Sequence, residues 1–142
     1  MNKTFKGRIA NTGIETIRLS TNDGLTGYKV VKFQLMPVTP HNTPYENIVQ
    51  VFTTEPGSAS STMDFTNPTL LAAGYTTGSS STSNSEDMLT IFDNMIFNQD
   101  IYITNSAPDT ATEINFYLEL EQIKLDLSEA TVATLKDMRG RE

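Results

Sequence analysis

The chain has 142 residues, with no cysteine, no tryptophan, 10 basic and 17 acidic side chains, and a net charge of -7. The lack of cysteine excludes a disulfide framework, a thiolate nucleophile and thiolate zinc sites. The acidic balance argues against binding nucleic acid or an anionic membrane, which takes clustered Lys and Arg.

A chain of this length buries a substantial core as one unit, so residues 1–142 are read as a single domain. Thr, Ser and Asn make up roughly three residues in ten, above ordinary usage; these types favour turns and, for Thr, strands. No run approaches the ~18 apolar residues that span a bilayer. No apolar segment follows Lys3, so no secretory leader is expected.

Lys3 to Ala10 alternates Phe5 and Ile9 against Lys6 and Arg8, a first strand. Asn11-Thr12-Gly13 turns the chain into a second, Ile14 to Ser20, with Ile17 and Leu19 on one face. Asn22-Asp23-Gly24 supplies the positive φ of a tight turn. Tyr28 to Met36 then sets Val31, Phe33 and Leu35 against Lys32 and Gln34, and Pro37 and Pro40 end it. Tyr45 to Thr54 is a strand of mixed parity. After a Pro-Gly-Ser loop, Thr62 to Thr66 reads as a short strand. Leu70 to Tyr75 reads as strand or a single helical turn. The Ser/Thr-rich 77–86 stretch is expected to be a mobile loop.

Asp87 to Asp93, Met95 to Phe97 and Asp100 to Asn105 follow as strands. The clearest strand comes next: Ile114, Phe116, Leu118 and Leu120 alternate with Asn115, Tyr117, Glu119 and Glu121. After Leu120 the apolar set changes parity to Ile123, Leu125 and Leu127, which predicts a β-bulge near Glu121-Gln122 and a second half steered to another surface. A helix over about 127–139 follows. Asp126 and Glu129 have capping-box spacing, with Ser128 a rival cap. Leu127, Thr131, Leu135 and Met138 share one face, with Val132 beside it, and that face is expected to lie on the domain. Lys136 and Arg139 suit the C-terminal end of the dipole, and Gly140 can end the helix. Eight to ten short strands with irregular loops predict an all-β, antiparallel β-sandwich, jelly-roll-like, with one short C-terminal helix.

No residue is assigned as catalytic, cofactor-binding or metal-ligating. His41, the only histidine, lacks a partner constellation and reads as a surface-loop residue. Nucleophile triads, HExxH and phosphate-loop motifs are absent. Asp87, Asp93 and Asp100 flank neighbouring strands and are the candidates for a Ca²⁺ site or a glycosidase pair, although strand-end carboxylates are usually solvated. Glu119 and Glu121 read as the wet side of their strand. Tyr28, Tyr45, Tyr75, Tyr102 and Tyr117 are candidates for stacking on sugars, but their scatter favours core-edge and interface roles.

Three stretches, STNDGLTGYKVVKFQLMP, IFDNMIFNQDIYIT and LDLSEATVATLKDMRGRE, resemble small virion structural proteins of tailed marine phages. The resemblance covers about half of the chain and carries no mechanistic motif. It implies a capsid-associated β domain, a decoration or cement protein bound to the major capsid protein and assembled in the host cytoplasm. The leading expectation is therefore a non-enzymatic virion protein, oligomeric, for example a trimer, without cofactor, nucleic acid or membrane partner. The alternative is a glycan-binding β-sandwich module of a tail or adhesion apparatus.

Overall fold

The computed structural model describes residues 2–21, 23–39, 44–78 and 86–140. Its spine is the strand Ile114–Lys124 (β8), flanked in a three-stranded sheet by Asn2–Ile9 (β1) and Thr26–Pro37 (β3), in the order β1-β8-β3. A five-stranded sheet stacks on it, in the order β2-β7-β4-β5-β6. Its members are Ile14–Ile17 (β2), Tyr45–Phe52 (β4), Leu70–Gly78 (β5), Glu86–Phe92 (β6) and Ile101–Ser106 (β7). Every strand pair is antiparallel. The chain ends in the helix Leu127–Gly140 (α1).

The architecture is the expected all-β sandwich with a C-terminal helix, and its strand order is jelly-roll-like. The orders 1-8-3 and 2-7-4-5 follow from a chain that changes sheet at each of its first three connections and again between β7 and β8. The sixth strand departs from a symmetric two-by-four arrangement. β6 stays beside β5, and the chain then reaches the small sheet at a single bridge, where Tyr28 and Phe97 exchange backbone hydrogen bonds of 2.8 and 2.9 Å. Of the expected strand Met95 to Phe97, this bridge alone is paired.

The alternation read for β8 is its burial pattern. Ile114, Phe116, Leu118 and Leu120 lie in the core, and Asn115, Tyr117, Glu119 and Glu121 on the wet face. The predicted bulge is on the wrong strand. β8 keeps an unbroken register with β1 from Asn2↔Glu121 to Ile9↔Ile114. The irregularity falls on β3, between Val30 and Lys32. Val31 is the extra residue, so Tyr28 and Val30 point inward below it and Phe33 and Leu35 above it, in place of the predicted Val31-Phe33-Leu35 face. A bulge absorbs one residue, and a parity count on one strand does not reveal which partner carries it.

Several other boundaries move for identifiable reasons. β2 stops at Ile17 because the N–H groups of Leu19 and Ser20 donate to the Asp100 carboxylate at 2.7 and 2.9 Å, leaving the sheet ladder. Thr62 to Thr66 is not a strand: the carbonyls of Ser60 and Thr62 accept from the Gln50 side chain, and Asp64 folds back on Thr66. Leu70 to Tyr75 is strand, and β5 continues to Gly78. Thr77 and Gly78 pair with Asp87 and Glu86, so both ends of the expected 77–86 loop belong to a hairpin ladder. Residues 79–85 lie outside the described residues.

The sheets close on Phe33, Val49, Val51, Ile101, Ile103, Leu118 and Leu120, all at most 1% exposed. Burying such side chains contributes about 1.5–3 kcal/mol each. Gly74 makes close stacking possible: a Cβ there would sit 2.7 Å from Leu35 Cδ1 and 3.2 Å from Phe33 Cε2. The large buried amides are paired, whereas the hydroxyls of Thr54 and Thr104 find no partner among the described residues. Asn47 donates to Asn105 Oδ1 at 3.0 Å and to the Thr112 carbonyl at 2.9 Å. Asn105 donates to the Ile9 carbonyl at 3.1 Å. This buried pair holds the connection before β8 against β1 and β4.

Candidate docking surface

α1 starts as the sequence predicts. Asp126 accepts from the Glu129 N–H at 2.8 Å, and the Glu129 carboxylate reaches back to the Asp126 N–H at 3.4 Å, a reciprocal capping box. The Glu129 N–H, then contact with the Glu129 side chain, hold the Asp126 carboxyl below its ordinary range. Ser128 is exposed and is not the cap. Before the helix, Leu125 donates from its N–H to the Leu25 carbonyl at 2.8 Å and buries its side chain over Gly27.

The face that α1 lays on the sandwich is the one made of small residues. Ala130 and Ala133 are buried and Thr134 is half-buried. Asn98, buried after the crossover segment, donates from Nδ2 to the Gly24 carbonyl (3.0 Å), the Ala130 carbonyl (3.3 Å) and Thr134 Oγ1 (3.0 Å). Gly24 has φ +67°, in the left-handed region that its lack of a Cβ makes accessible. A side-chain amide reaches a helix carbonyl only if the helix comes close, and alanines permit that.

The expected packing of α1 is therefore corrected. Leu127 is 75% exposed, Val132 52% and Leu135 49%, so the larger apolar side chains point outward. The side chains of Lys136, Met138 and Arg139 lie outside the described residues. Beyond Leu120 the spine redirects its apolar side chains: Ile123 is half-buried on the wet face of β8, Leu125 is buried on that face over Gly27, the partner of Ile123, and Leu127 is exposed at the start of α1. Beside α1, Met95, Ile96, Leu125, Val132 and Ala133 line an open trough of about 490 Å³. Ile96 is exposed there, and together with Val132 it continues the apolar strip of the helix. Sequence periodicity found these helical residues but put them on the wrong side. It missed Asn98 and Ile96, which carry no pattern of their own.

A second apolar surface lies along β6. Met88, Leu89, Ile91 and Phe92 are all exposed, and so is Phe65 from the loop before β5. Phe65, Leu70, Ile91 and Phe92 border a trough of about 520 Å³.

The residues weighed for chemistry do not converge. His41 lies outside the described residues. Asp87 and Asp93 stand at opposite ends of β6, six residues apart, roughly 20 Å along a regular strand. Asp93 accepts from the Met95 N–H at 3.2 Å. Burial pushes the Asp100 carboxyl up, but the N–H groups of Ser20 and Leu19, the Ser20 side chain and the Arg18 charge outweigh it and hold it below the ordinary range. That carboxylate is occupied in joining β2 to β7. Among the described residues no three His, Asp or Glu side chains gather in a metal-binding group, and no helix is long and apolar enough to cross a membrane.

Glu119 and Glu121 lie on the wet face of β8. Glu119 accepts from the Asn2 side chain at 2.8 Å, and Glu121 pairs with Lys29 at 3.5 Å. Tyr28 is buried against Phe97, with ring centroids 6.2 Å apart, and Tyr45 is buried as well. Tyr75 and Tyr102 are half-buried on the outer side of the large sheet, and Tyr117 is on the outer side of the small one, where the Lys32 ammonium lies 5.6 Å from its ring. The five rings do not form one platform. Comparison of the chain with models of known protein families and with curated proteins finds no match.

Proposed function

We propose that the chain is a non-enzymatic structural protein of a phage virion. It binds the major capsid protein and reinforces the shell as a decoration or cement protein, assembled in the host cytoplasm. The observation that carries this reading is the outward apolar strip of Leu127, Val132 and Leu135 on α1, continued by Ile96. A helix anchored by its small face and presenting its larger side chains is built to be covered. Val132 and Leu135 stand three residues apart, a spacing that helix-in-groove docking uses, and Leu127 lies about two turns before Leu135. The resemblance of three segments to virion structural proteins supplies the partner class.

The test is sedimentation of purified protein with capsid shells that lack it. Saturable co-sedimentation is expected, reduced at least tenfold by Leu127→Ser, Val132→Ser and Leu135→Ser together while the thermal melt stays near the parent's. Failure of the parent protein to bind shells at any concentration sinks the proposal.

A further inference from the structure

We propose that copies of this chain associate head to tail by strand addition, the free edge of β6 in one copy pairing with the free edge of β1 in the next. The two edges lie on opposite flanks of the sandwich: β6 ends the five-stranded sheet beyond β5, and β1 ends the three-stranded sheet beyond β8. Each is laddered to one neighbour among the described residues.

Among the described residues β6 lacks two of the features that blunt an open edge, a bulge and a proline. It runs in unbroken register from Phe92↔Ala72 to Glu86↔Gly78. Thr90 sits opposite Gly74, whose missing side chain faces Leu35 and Phe33, so Met88, Thr90 and Phe92 take the inner parity and Leu89 and Ile91 the outer. All four large side chains are nonetheless exposed, so both faces of the strand are left open at this edge. A strand added alongside β6 would cover them.

Charge decides which strand that is. Residues 86–93 hold three acids, Glu86, Asp87 and Asp93, and no base; residues 2–9 hold three bases, Lys3, Lys6 and Arg8, and no acid. Antiparallel addition that sets Lys3 opposite Asp93 lays the basic strand along the acidic one, with this pair on one face. Two β6 edges related by a two-fold axis would instead set acids against acids, and two β1 edges bases against bases. Arg8 reaches Glu113 at 3.1 Å, but that pair is exposed and can be exchanged. Joining unlike edges makes a heterologous contact, which closes into a ring or continues as a chain. This inference does not rest on capsid binding.

Light scattering after size exclusion tests it on the full chain. The parent protein is expected at a multiple of 15.7 kDa. Leu89→Lys with Ile91→Lys removes the β6 edge, and Lys3→Glu with Lys6→Glu removes the β1 edge. Each variant alone is expected as a monomer, with a circular dichroism melt like the parent's. An equal mixture of the two is expected to give a dimer and nothing larger, because one sound edge of each kind remains. A monomeric parent at every concentration overturns the proposal. So does a β1 variant that keeps the parent's mass, which is the result for a β6–β6 contact. If the lysine variant of β6 unfolds, the β1 variant still decides between these outcomes. Shell binding by either monomeric variant separates this contact from the docking of α1.

Discussion

Asn98 donates from Nδ2 to Thr134 Oγ1 at 3.0 Å, and the same amide reaches the carbonyls of Gly24 and Ala130. One side chain thus ties the turn before β3, the crossover from the large sheet and the body of α1. Helix and sandwich otherwise meet through small residues, which bury little area. The orientation of α1, and with it the exposure of Leu127, Val132 and Leu135, depends strongly on this amide.

Asn98→Ala leaves the buried carbonyl partners without their donor. A cost of about 1–3 kcal/mol is expected for such a loss. Hydrogen exchange should show faster opening of α1 amides, while amides of β8 change only with global stability. A variant whose α1 and β8 amides lose protection equally would mean that α1 does not open by itself.

Gly74 faces Leu35 across the two sheets with no room for a side chain between them. Gly74→Ala puts a methyl 2.7 Å from Leu35 Cδ1, and overpacking of this kind costs about 1–3 kcal/mol. Leu35→Val shortens the opposing side chain and should recover part of that loss in the double variant. Urea midpoints of the two single variants and the double give the coupling, and strict additivity would count against the contact.

Acid should destabilise the fold through carboxylates that accept backbone N–H groups. Asp23, Asp64, Asp100 and Asp126 all have pKa values lowered from 3.8. The N–H groups of Leu25 and Glu129 are the main causes for Asp23 and Asp126, and the Thr66 hydroxyl for Asp64. A lowered folded pKa means that the folded state favours the carboxylate. The contribution is fully present above the unfolded value near 3.8 and is lost as pH falls through the folded values. Urea midpoints should be nearly level from pH 7 to about 5 as far as these groups are concerned, and fall below about 4. Asp126→Ala, which removes the cap, should narrow the difference between pH 5 and pH 2.5.

Much of this could be read from local pattern. The inward set of β8, the capping box of Asp126 and Glu129, and the single C-terminal helix depend on side chains one to four residues apart, and alternation or helical spacing encodes such neighbours directly. Two-sheet packing followed from the number of short alternating strands. Three features were decided only by tertiary structure. The bulge sits at Val31 because register is a property of two strands, so the parity break after Leu120 could not locate it. Asn47, Asn98 and Asn105 are buried because acceptors 32 to 96 residues away meet them; without those partners an asparagine reads as a turn residue. α1 turns its alanines inward, where Asn98 reaches the Ala130 carbonyl at 3.3 Å, and leaves Leu127, Val132 and Leu135 outward, an orientation set by contacts distant in the chain. Sequence periodicity established that α1 has an apolar strip; the fold left that strip facing outward.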